Sequence, residues 1–448
     1  MRPLLLTLLA LVSAALVSAQ SNPVPLVYQP LIPTSVAPRD SAFVLNVQGF
    51  GFVPGAVVQW NGQAVRTRFV SSSMLEAKIP AGAAIKPGTA AITVSNPGTG
   101  AASNVIYFTV RQPSARVNVK QDRMFTAGSG EAVVGDFNGD NILDIAVPTS
   151  AGTVDVYLGK GGGSFAPPIH NPSTPTPGPL LVGDFNGDGK LDIAVSGAPS
   201  GCPYGETTSV MLGNGDGTLT LTSGAICGVA QAAADLNADG KLDLIIAGTN
   251  GETASTDVYL GNGDGTFNPN GLVIFANIIS LDAPIAMGDF NDDGKLDLAF
   301  GNFDFNGSVG VFLGNGDGTF QNPVLHATQF GGTAAVAADV DGDGSLDIVT
   351  SGVSVLRGHG NGTFTEDGGV SVSSQSNYLA VADVNGDGKL DLWVSSGSTG
   401  SDLLLGNGNG TFQNPSLQLT QGTAPLWIGD FNRDGKLDLL SIDLFLQR

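Results

Sequence analysis

The sequence predicts an all-β protein in which a small β-sandwich is followed by seven similar modules. Three observations predict this fold class. A nine-residue phrase rich in Asp, Asn and Gly occurs seven times, its copies are about fifty residues apart, and each copy leads into a short apolar run typical of a buried strand. A fixed period of this size is typical of a repeat architecture, usually a solenoid or a propeller.

The repeated phrase in its second copy is Asp-Phe-Asn-Gly-Asp-Gly-Lys-Leu-Asp. We number the copies loops 1 to 7 and the residues within each copy positions 1 to 9. The loops are Asp136–Asp144, Asp184–Asp192, Asp235–Asp243, Asp289–Asp297, Asp339–Asp347, Asp383–Asp391 and Asp430–Asp438. Asp stands at positions 1, 5 and 9 of every copy, and Asn or Asp stands at position 3.

This spacing of oxygen-bearing side chains predicts a calcium loop. Ca²⁺ prefers about six to eight oxygen ligands, some of them backbone carbonyls, and the carbonyl of position 7 is a natural additional ligand. An EF-hand would have an acidic residue at position 12, which no copy has, so position 9 is expected to close the site. The predicted ligands are Asp136, Asn138, Asp140, Asp144, Asp184, Asn186, Asp188, Asp192, Asp235, Asn237, Asp239, Asp243, Asp289, Asn291, Asp293, Asp297, Asp339, Asp341, Asp343, Asp347, Asp383, Asn385, Asp387, Asp391, Asp430, Asn432, Asp434 and Asp438.

Metal-free turns are the alternative explanation, because Asp, Asn and Gly all favour turns. Turn formation does not require Asp at the same three positions of seven copies, so the pattern favours metal binding. Only loop 1 lacks Gly at position 6, where it has Asn141. Asn tolerates the left-handed conformation, so we expect this loop to form, with weaker affinity.

On these phrases, residues 136–448 resemble FG-GAP/VCBS repeats, the calcium-loop repeats of integrin alpha-chain propellers and of many secreted bacterial proteins. The resemblance implies a β-propeller of four-stranded blades, with Ca²⁺ held between the first and second strands of each blade. It implies up to seven structural Ca²⁺ ions, bound by positions 1, 3, 5 and 9 of each loop.

The N-terminus predicts export. Residues 1–19 contain Arg2, an apolar run and the small-residue ending Val17-Ser18-Ala19, which is typical of a secretory signal peptide removed before Gln20. A transmembrane anchor is the alternative, and the short run without a stop-transfer flank disfavours it. We therefore expect a soluble, secreted protein, extracellular, periplasmic or associated with the cell surface, with no membrane insertion.

The chain is strongly acidic. Its 19 Lys and Arg against 40 Asp and Glu give a net charge of −21 and a pI of about 4.2. This charge excludes nucleic acid and anionic membranes as natural partners. The predicted ligand positions hold 22 of the 40 acidic residues, and seven Ca²⁺ ions would bring the net charge from −21 to −7. Metal sites therefore account for much of the acidity.

Residues 20–112 lack the loop phrase and form a separate predicted unit. Short apolar runs at 42–47, 57–60, 74–79, 90–95 and 105–110 alternate with turn residues, which predicts a small β-sandwich. Gly49-Phe-Gly-Phe52, Trp60-Asn-Gly62 and Asn96-Pro-Gly98 resemble an IPT/TIG domain, an immunoglobulin-like module that implies a spacer or binding role; a generic sandwich is the alternative. Arg111–Ser114 is the predicted linker to the repeats, which occupy 113–448.

Strand order within a repeat assigns the two ends of each module. An Asn-Gly-Asp-Gly stretch predicts a hairpin after the third strand, with a second metal site as the alternative. In an up-and-down module this hairpin and the metal loop share one face, and the turns that vary most lie on the opposite face. Cys202 and Cys227 are both expected there, and in an exported chain they predict a disulfide, with two free thiols as the alternative.

Closure of the ring is predicted to join the two ends of the repeat region. Only ten residues follow Asp438, enough for two short strands. Residues 115–125 would supply the missing outer strand and close a seven-bladed β-propeller.

The sequence favours a binding role over catalysis. Three histidines, at 170, 326 and 359, are scattered in predicted loops, and no nucleophile elbow, zinc-protease or phosphate-loop motif occurs. We expect a calcium-binding scaffold for an extracellular glycan or protein, bound on the face opposite the metal loops; a polysaccharide hydrolase or lyase is the alternative. Candidate ligand contacts, which would otherwise cap the core, are Tyr204, Phe303, Phe305, Phe330 and Tyr378.

Overall fold

The computed structural model describes residues 22–39, 41–114, 117–124, 132–198, 202, 206–249, 254–268, 272–276, 285–301, 307–370, 372, 378–395, 400–419, 427–440 and 443–447. These residues form strands and turns, and no helix among them is long and apolar enough to span a membrane. The predicted signal peptide lies outside the described residues.

The N-terminal part is a two-sheet unit that we call the sandwich (residues 22–110). Its sheets have the strand orders β1-β3-β7-β6 and β2-β9-β8-β4-β5. A cluster that includes Leu45, Leu75 and Phe108 fills the space between them. The strands are β1 (Leu26–Val27), β2 (Ser35–Val36), β3 (Phe43–Phe50), β4 (Val57–Trp60), β5 (Gln63–Ala64), β6 (Arg66–Ser71), β7 (Met74–Ile79), β8 (Gly88–Ser95) and β9 (Ile106–Val110).

The five apolar runs predicted as sandwich strands coincide with β3, β4, β7, β8 and β9 within a few residues. Strand β6 was not predicted. It lies at the edge of its sheet, and its sequence, Arg-Thr-Arg-Phe-Val-Ser, contains no buried residue. Charged edge strands lack the apolar alternation by which buried strands are recognised, because one side of the strand has no neighbour to pack on.

Within the described residues, the repeat region forms seven four-stranded antiparallel sheets, which we call blades 1 to 7. Blade 1 contains β11 (Val133–Gly135), β12 (Asp144–Pro148), β13 (Thr153–Tyr157) and β14 (Ile169–Pro172); blade 2 contains β15 (Thr176–Gly183), β16 (Asp192–Ala198), β17 (Thr207–Gly213) and β18 (Leu219–Cys227); blade 3 contains β19 (Val229–Ala234), β20 (Asp243–Thr249), β21 (Ala254–Tyr259) and β22 (Leu272–Ala276); blade 4 contains β23 (Ala286–Gly288), β24 (Asp297–Phe300), β25 (Val309–Phe312) and β26 (Val324–His326).

Blade 5 contains β27 (Ala335–Ala338), β28 (Asp347–Thr350), β29 (Ser354–Gly358) and β30 (Phe364–Gly369); blade 6 contains β31 (Leu379–Ala382), β32 (Asp391–Ser395), β33 (Ser401–Leu404) and β34 (Leu417–Leu419); blade 7 contains β35 (Trp427–Gly429), β36 (Asp438–Leu440), β37 (Asp443–Gln447) and β10 (Val119–Met124). Each of loops 1 to 7 connects the first and second strands of its blade, and the Asp at position 9 is the first residue of the second strand.

Hydrophobic clusters join the blades in sequence. Each cluster combines buried side chains of two neighbouring blades, for example Val156 of blade 1 with Ile193 of blade 2. Blade 7 packs on blade 6 through Phe445 and on blade 1 through Leu440 and Leu444. The all-β propeller architecture predicted from the repeats is therefore observed, with one four-stranded sheet for each of the seven loops.

The two ends of the repeat region meet in blade 7, as the sequence predicted. Strand β10, which precedes blade 1 in the chain, pairs antiparallel with the last strand, β37. Val119 lies opposite Gln447, and Met124 lies opposite Asp443. The N-terminal side of the repeat region thus supplies the outer strand of blade 7.

A repeated backbone hydrogen bond fastens neighbouring blades at the loop face. The glycine at the end of the third-to-fourth-strand turn donates its N–H to the carbonyl of position 2 in the loop of the preceding blade. Six such bonds measure 2.8–3.2 Å; the donors are Gly163, Gly217, Gly265, Gly318, Gly362 and Gly410. Blade 7 has no such turn, because its outer strand comes from elsewhere in the chain.

Cys202 and Cys227 form a disulfide, as predicted. Cys202 lies between the second and third strands of blade 2, and Cys227 ends its outer strand. Both positions belong to the end of the blade opposite loop 2. The bond ties the long second-to-third-strand connection of this blade to its outer strand.

Candidate metal loops and the surface that covers them

The loops hold the predicted ligand side chains in a common arrangement. The carboxylate of position 1 accepts the N–H of position 6 at 2.7–3.0 Å in all seven loops. The side-chain oxygen of position 3 accepts the N–H of position 5 at 2.8–3.0 Å. Position 5 accepts the N–H of position 7 at 2.8–3.1 Å. Such Asx turns fold each loop over its own carboxylates.

Position 9 connects each loop to the body of its blade. One carboxylate oxygen accepts the N–H of position 2 at 2.8–3.0 Å. The other accepts an N–H from the end of the third strand at 2.7–2.9 Å. All seven of these Asp side chains are at most 1% exposed. A carboxylate oxygen has two lone pairs, so an oxygen that accepts a single N–H can still bind a metal. In loop 6 the oxygen of Asp391 that accepts the position-2 N–H also accepts the Asn385 N–H, at 3.3 Å.

Left-handed backbone explains the glycines of the phrase. Asn141 has φ of 62°, so loop 1 keeps the conformation that glycine provides at position 6 elsewhere. Position 4 is also left-handed where it is not glycine, at Ala238, Asp292 and Arg433. The loop geometry therefore tolerates a side chain at either position at some conformational cost.

Loop 5 brings three carboxylates within reach of one ion. Ligand oxygens of Asp339, Asp341 and Asp347 lie within 4.8 Å of one another. Only this loop has Asp at position 3, and the Nε of Arg357 lies 2.9 Å from the Asp341 carboxylate. Arg357 also pairs with Asp367 and donates to the carbonyl of Asn409 at 3.1 Å. The additional charge of loop 5 is thus balanced by a fixed cation.

Lysine at position 7 has a structural reason besides its carbonyl. The Nζ atoms of Lys190, Lys241 and Lys295 lie 3.4–3.8 Å from the carboxylate of position 5 in the same loop. These side chains are exposed, so the pairs add little to stability. Their stems cover the first glycine of the adjacent third-to-fourth-strand turn.

The negative charge of the buried carboxylates is unfavourable unless a cation or a proton compensates it. Burial raises the pKa of position 9 to about 7 at Asp144, Asp243, Asp297, Asp347 and Asp391, to about 6 at Asp192 and to about 8 at Asp438. Backbone hydrogen bonds oppose this rise, and neighbouring carboxylates add to it, those of positions 1 and 5 in six loops and those of positions 1 and 3 in loop 5. Several buried oxygen donors with unfavourable negative charge fit a hard divalent ion such as Ca²⁺.

We expect the metal-free protein to become less stable as pH rises from about 4 to about 8. Native carboxyls with raised pKa retain protons that the unfolded chain, with Asp pKa of about 3.9, has released, so the free energy of unfolding falls across this window. Thermal melting in chelator at about pH 5 and about pH 8 measures the effect. Bound calcium should make the melting temperature depend less on pH. A protein in chelator that melts at a higher temperature at about pH 8 than at about pH 5 would contradict this explanation.

The sandwich covers the face of the ring that carries the loops. The Val24 N–H donates to Asp235 of loop 3 at 2.8 Å. The hydroxyls of Thr34 and Thr89 donate to the position-1 carboxylates of loops 6 and 7, at 2.9 Å and 2.8 Å. In loops 4 and 5 the direction reverses: the position-1 N–H donates to Tyr28 Oη at 3.1 Å and to the Gln29 carbonyl at 3.2 Å.

Loops 1 and 2 meet the sandwich by packing. At loop 2 the backbones approach closely: a Cβ at Gly100 would lie 2.1 Å from the carbonyl oxygen of Gly187, so this contact requires glycine. At loop 1, Tyr107 of the sandwich packs against the hydrophobic cluster that includes Leu143 of the loop. Tyr28 and Phe50 also enter the cluster shared by blades 3 and 4. The sandwich therefore touches all seven loops.

The first residue of the linker predicted at 111–114 is buried. Arg111 is 4% exposed and donates to the Val384 carbonyl of loop 6 at 2.8 Å. The sequence also gave no indication that Thr34 and Thr89 would contact the loops. A single Thr or Arg belongs to no recognisable sequence motif. The residue that each of them contacts lies more than 270 positions away in the sequence.

The candidate aromatic residues have different environments. Tyr378 packs against the cluster between blades 6 and 7, which favours the alternative that it caps the core. Phe330 is half-buried on the open face, which we define as the ring surface opposite the loops, and its N–H donates to Ser354 Oγ at 2.9 Å. The other three candidates, Tyr204, Phe303 and Phe305, lie outside the described residues.

The histidines do not converge on one site, although two of them were wrongly predicted to lie in loops. His170 lies on β14 and His326 on β26, while His359 lies in a turn of blade 5. Outer strands are exposed and polar, so the sequence makes them resemble loops. His170 Nδ1 is 2.9 Å from Asp155, and His326 packs edge-on against Phe364.

The hairpin after the third strand is a turn, as interpreted from the sequence. Asp216 accepts both the N–H and the hydroxyl of Thr218, at 2.9 Å and 2.6 Å. Asp264 and Asp317 accept the same two bonds from a Thr two residues later. These hydrogen bonds lower the pKa of each Asp and explain why an Asp suits this position of the turn.

Seven four-stranded sheets, each with an Asp-rich loop between its first and second strands, define a β-propeller built from repeats. The model of the FG-GAP-like repeat matches residues 136–195, 235–300, 289–350, 350–394 and 383–441, more than half of the chain. The chain belongs to the FG-GAP-like repeat family. No curated protein sequence matches it.

Three solved structures match this chain at low sequence identity and low TM-score. An auxiliary nutrient binding protein from Bacteroides ovatus is 10% identical, with 95% of this chain and 98% of that chain covered and a TM-score of 0.38. BBS1N in complex with ARL6DN is 12% identical, with 75% and 98% covered and a TM-score of 0.47. A candidate phosphatase from Bacteroides thetaiotaomicron is 12% identical, with 94% and 98% covered and a TM-score of 0.39.

Proposed function

We propose that this protein is a secreted, calcium-stabilised binding or adhesion scaffold that takes an extracellular glycan or protein on its open face. The observation that carries this proposal is the covering of the loop face by the sandwich. A large partner cannot approach a face whose seven loops already contact another part of the chain. The opposite face carries the turns of most variable length, where binding specificity usually lies on a rigid scaffold.

Calcium has a structural role in this proposal. The seven loops combine buried position-9 carboxylates with position-1 carboxylates that hold the sandwich. Positions 1, 3, 5 and 9, with the position-7 carbonyl, would hold the ion, which supplies positive charge where burial has made negative charge costly. No position outside the loops is needed for this role.

Two features support an extracellular location. Residues 1–19 have the pattern of a signal peptide. The disulfide between Cys202 and Cys227 belongs to an oxidising compartment, because such bonds seldom persist in the cytosol. We further propose that the sandwich is an IPT/TIG-like module and that the ring resembles the propellers of integrin alpha chains.

Binding on the open face is tested with the full mature chain on a glycan array and on immobilised extracellular-matrix proteins. We expect Phe330→Ala to weaken binding at least tenfold, because an aromatic anchor dominates an interface of this kind. The matched control is Leu221→Ala, which truncates an exposed apolar side chain on an outer strand. Equal binding by both variants would show that Phe330 is not part of the binding site.

A polysaccharide hydrolase or lyase is the competing function, and depolymerisation assays run beside the binding screen decide between them. A glycosidase would need a pair of carboxylates outside the loops. Turnover that single acidic substitutions outside the loops abolish would establish the enzyme. Binding without turnover supports the scaffold.

A further inference from the structure

The sandwich and the ring do not meet everywhere, and a chamber of about 840 Å³ lies between them. One wall is the outer face of the sheet that contains β4 and β8. The other is formed by the inner strands of blades 1, 2, 3 and 7, with residues such as Val134, Val182 and Ala233. The chamber reaches solvent beside Asn141, Lys190 and Arg433, which line it and are exposed. Its volume is in the range of small-molecule sites.

The two walls differ in chemistry. Alternate residues of β8 face the sandwich core, so Thr93 and Ser95 face the chamber together with Gln59 of β4. The Gln59 amide bonds these hydroxyls at 3.3 Å and 3.4 Å, which are long distances, so these groups retain capacity for a better partner. The ring wall opposite them combines apolar side chains, such as Leu181, Val182 and Leu242, with four loop carboxylates.

Two aromatic side chains complete the lining. Trp427 donates its indole N–H to the Ala132 carbonyl at 2.7 Å, so the polar atom of the indole is satisfied. The rest of the indole presents an apolar surface to the chamber. Tyr107 lies on the sandwich side of the chamber. An aromatic surface beside amide and hydroxyl groups suits a molecule with an apolar face and a hydroxylated edge.

Charge restricts the ligand further. Asp136, Asp184, Asp235 and Asp430, all at position 1 of their loops, also line the chamber and outnumber its two cations, Lys190 and Arg433, which disfavours an anion. A purely apolar ligand would bury the Gln59 amide and two hydroxyls without partners, which is costly.

We propose that this chamber is a binding site for a small neutral sugar, a monosaccharide or disaccharide, held by Gln59, Thr93 and Ser95 against the apolar side chains of the ring wall. The site is distinct from the open face and does not rest on the function proposed for that face. A sugar brings several hydroxyls to the polar wall, and its C–H face packs on the apolar side chains of the ring wall and on Trp427.

The test is calorimetric titration of the full mature chain, in calcium, with D-glucose, D-galactose, D-mannose and cellobiose, and with glucuronate as the anionic comparison. We expect saturable binding of at least one neutral sugar and none of glucuronate. Gln59→Ala should weaken that binding about tenfold or more, and the isosteric Thr93→Val should weaken it as well, because each removes a hydrogen-bonding group. Gln63→Ala, on exposed β5 of the same sheet, is the matched control.

The melting temperature of each of the three variants is measured to check that it is folded. If Gln59→Ala does not fold, Thr93→Val still tests the site, because valine has the same shape as threonine. No saturable binding of any of the four sugars overturns the proposal. Unchanged affinity in Gln59→Ala and Thr93→Val also overturns it. Binding that Phe330→Ala abolishes while Gln59→Ala preserves it would assign the sugar to the open face and likewise overturn the chamber site.

Discussion

Addition of calcium to the metal-free protein should raise its melting temperature more than any single substitution changes it. An ion that binds the native loops and not the unfolded chain stabilises the fold at every loop it occupies. At a free concentration about ten times the dissociation constant, each loop contributes about 1.4 kcal/mol, and seven loops contribute on the order of 10 kcal/mol. Extracellular calcium sites have dissociation constants of about 10⁻⁴–10⁻³ M, so this ratio is reached at about 1–10 mM free calcium.

The effect should extend beyond the loops to the sandwich. Position 1 of loops 3, 6 and 7 accepts hydrogen bonds from Val24, Thr34 and Thr89. If an ion fixes these carboxylates, its removal weakens the docking of the sandwich, and by linkage the docked sandwich favours ion binding. Two backbone amides report docking directly, because those of Asp289 and Asp339 are bonded to Tyr28 and Gln29.

Thermal melting and amide hydrogen exchange, with chelator and with calcium-saturated chelator as the control, measure both effects. We expect chelation to lower the melting temperature and to accelerate exchange at Asp289 and Asp339. Magnesium should protect less, because it demands a smaller octahedral site and releases its waters reluctantly. Unchanged melting and unchanged exchange in chelator would remove calcium from the account of this fold.

The parts of the structure that the sequence predicted are those that repeat or are local. The nine-residue phrase gave the loop positions, and the short apolar runs gave the second strands, because each depends on residues within one module. The pairing of β10 with β37 followed from counting the residues left after loop 7. The disulfide followed from the positions of two cysteines relative to the strands of one blade.

The arrangement of the sandwich on the ring could not be predicted in this way. It depends on shape and hydrogen bonds between distant residues, such as Val24 and Asp235, which are separated by 211 positions. Thr34 and Thr89 are unremarkable in sequence, since many exposed turns contain Thr. The sequence does not distinguish Gly100 from the other turn glycines, because its close approach to Gly187 depends on the packing of the sandwich on the ring. The chamber exists only because two separately folded surfaces meet, so no local pattern encodes it.

Replacement of Arg111 by Ala should be the most destabilising single change at the junction of sandwich and ring. Six of the seven loops receive a backbone N–H on the carbonyl of position 2 from the next blade. Blade 7 has no turn glycine to offer to loop 6, because its outer strand is β10. Arg111 Nη1 donates to the Val384 carbonyl at 2.8 Å and replaces the missing donor with a side chain.

The same guanidinium also holds the last strand of the ring. Arg111 Nη1 lies 3.2 Å from the side-chain oxygen of Gln447, whose N–H donates to Asp438 at 2.7 Å. In the other six blades a glycine N–H makes that last bond. The stem of Arg111 packs over Gly386, where an added Cβ would lie 3.1 Å from the Arg111 Cδ. Arg111 therefore joins sandwich, loop 6 and the closing strand.

We expect Arg111→Ala to lower the free energy of unfolding by about 3 kcal/mol, since it leaves buried acceptors unpaired and removes a packed stem. Arg111→Lys should fall between the two, because a lysine keeps much of the stem but lacks the planar fork of donors. Arg66→Ala, at an exposed position of β6, is the control and should stay within about 0.5 kcal/mol. Denaturant unfolding in calcium measures all three.

Amide hydrogen exchange distinguishes a closure role from general destabilisation. If Arg111 closes the ring, its loss should accelerate exchange first in β10 and β37, whose pairing joins the two ends of the repeat region. Blade 3, whose strands are contiguous in the chain, should keep its protection until global unfolding. Faster exchange spread evenly over all blades, or an Arg111→Ala protein as stable as Arg66→Ala, would show that the pairing of β10 with β37 closes the ring without this side chain.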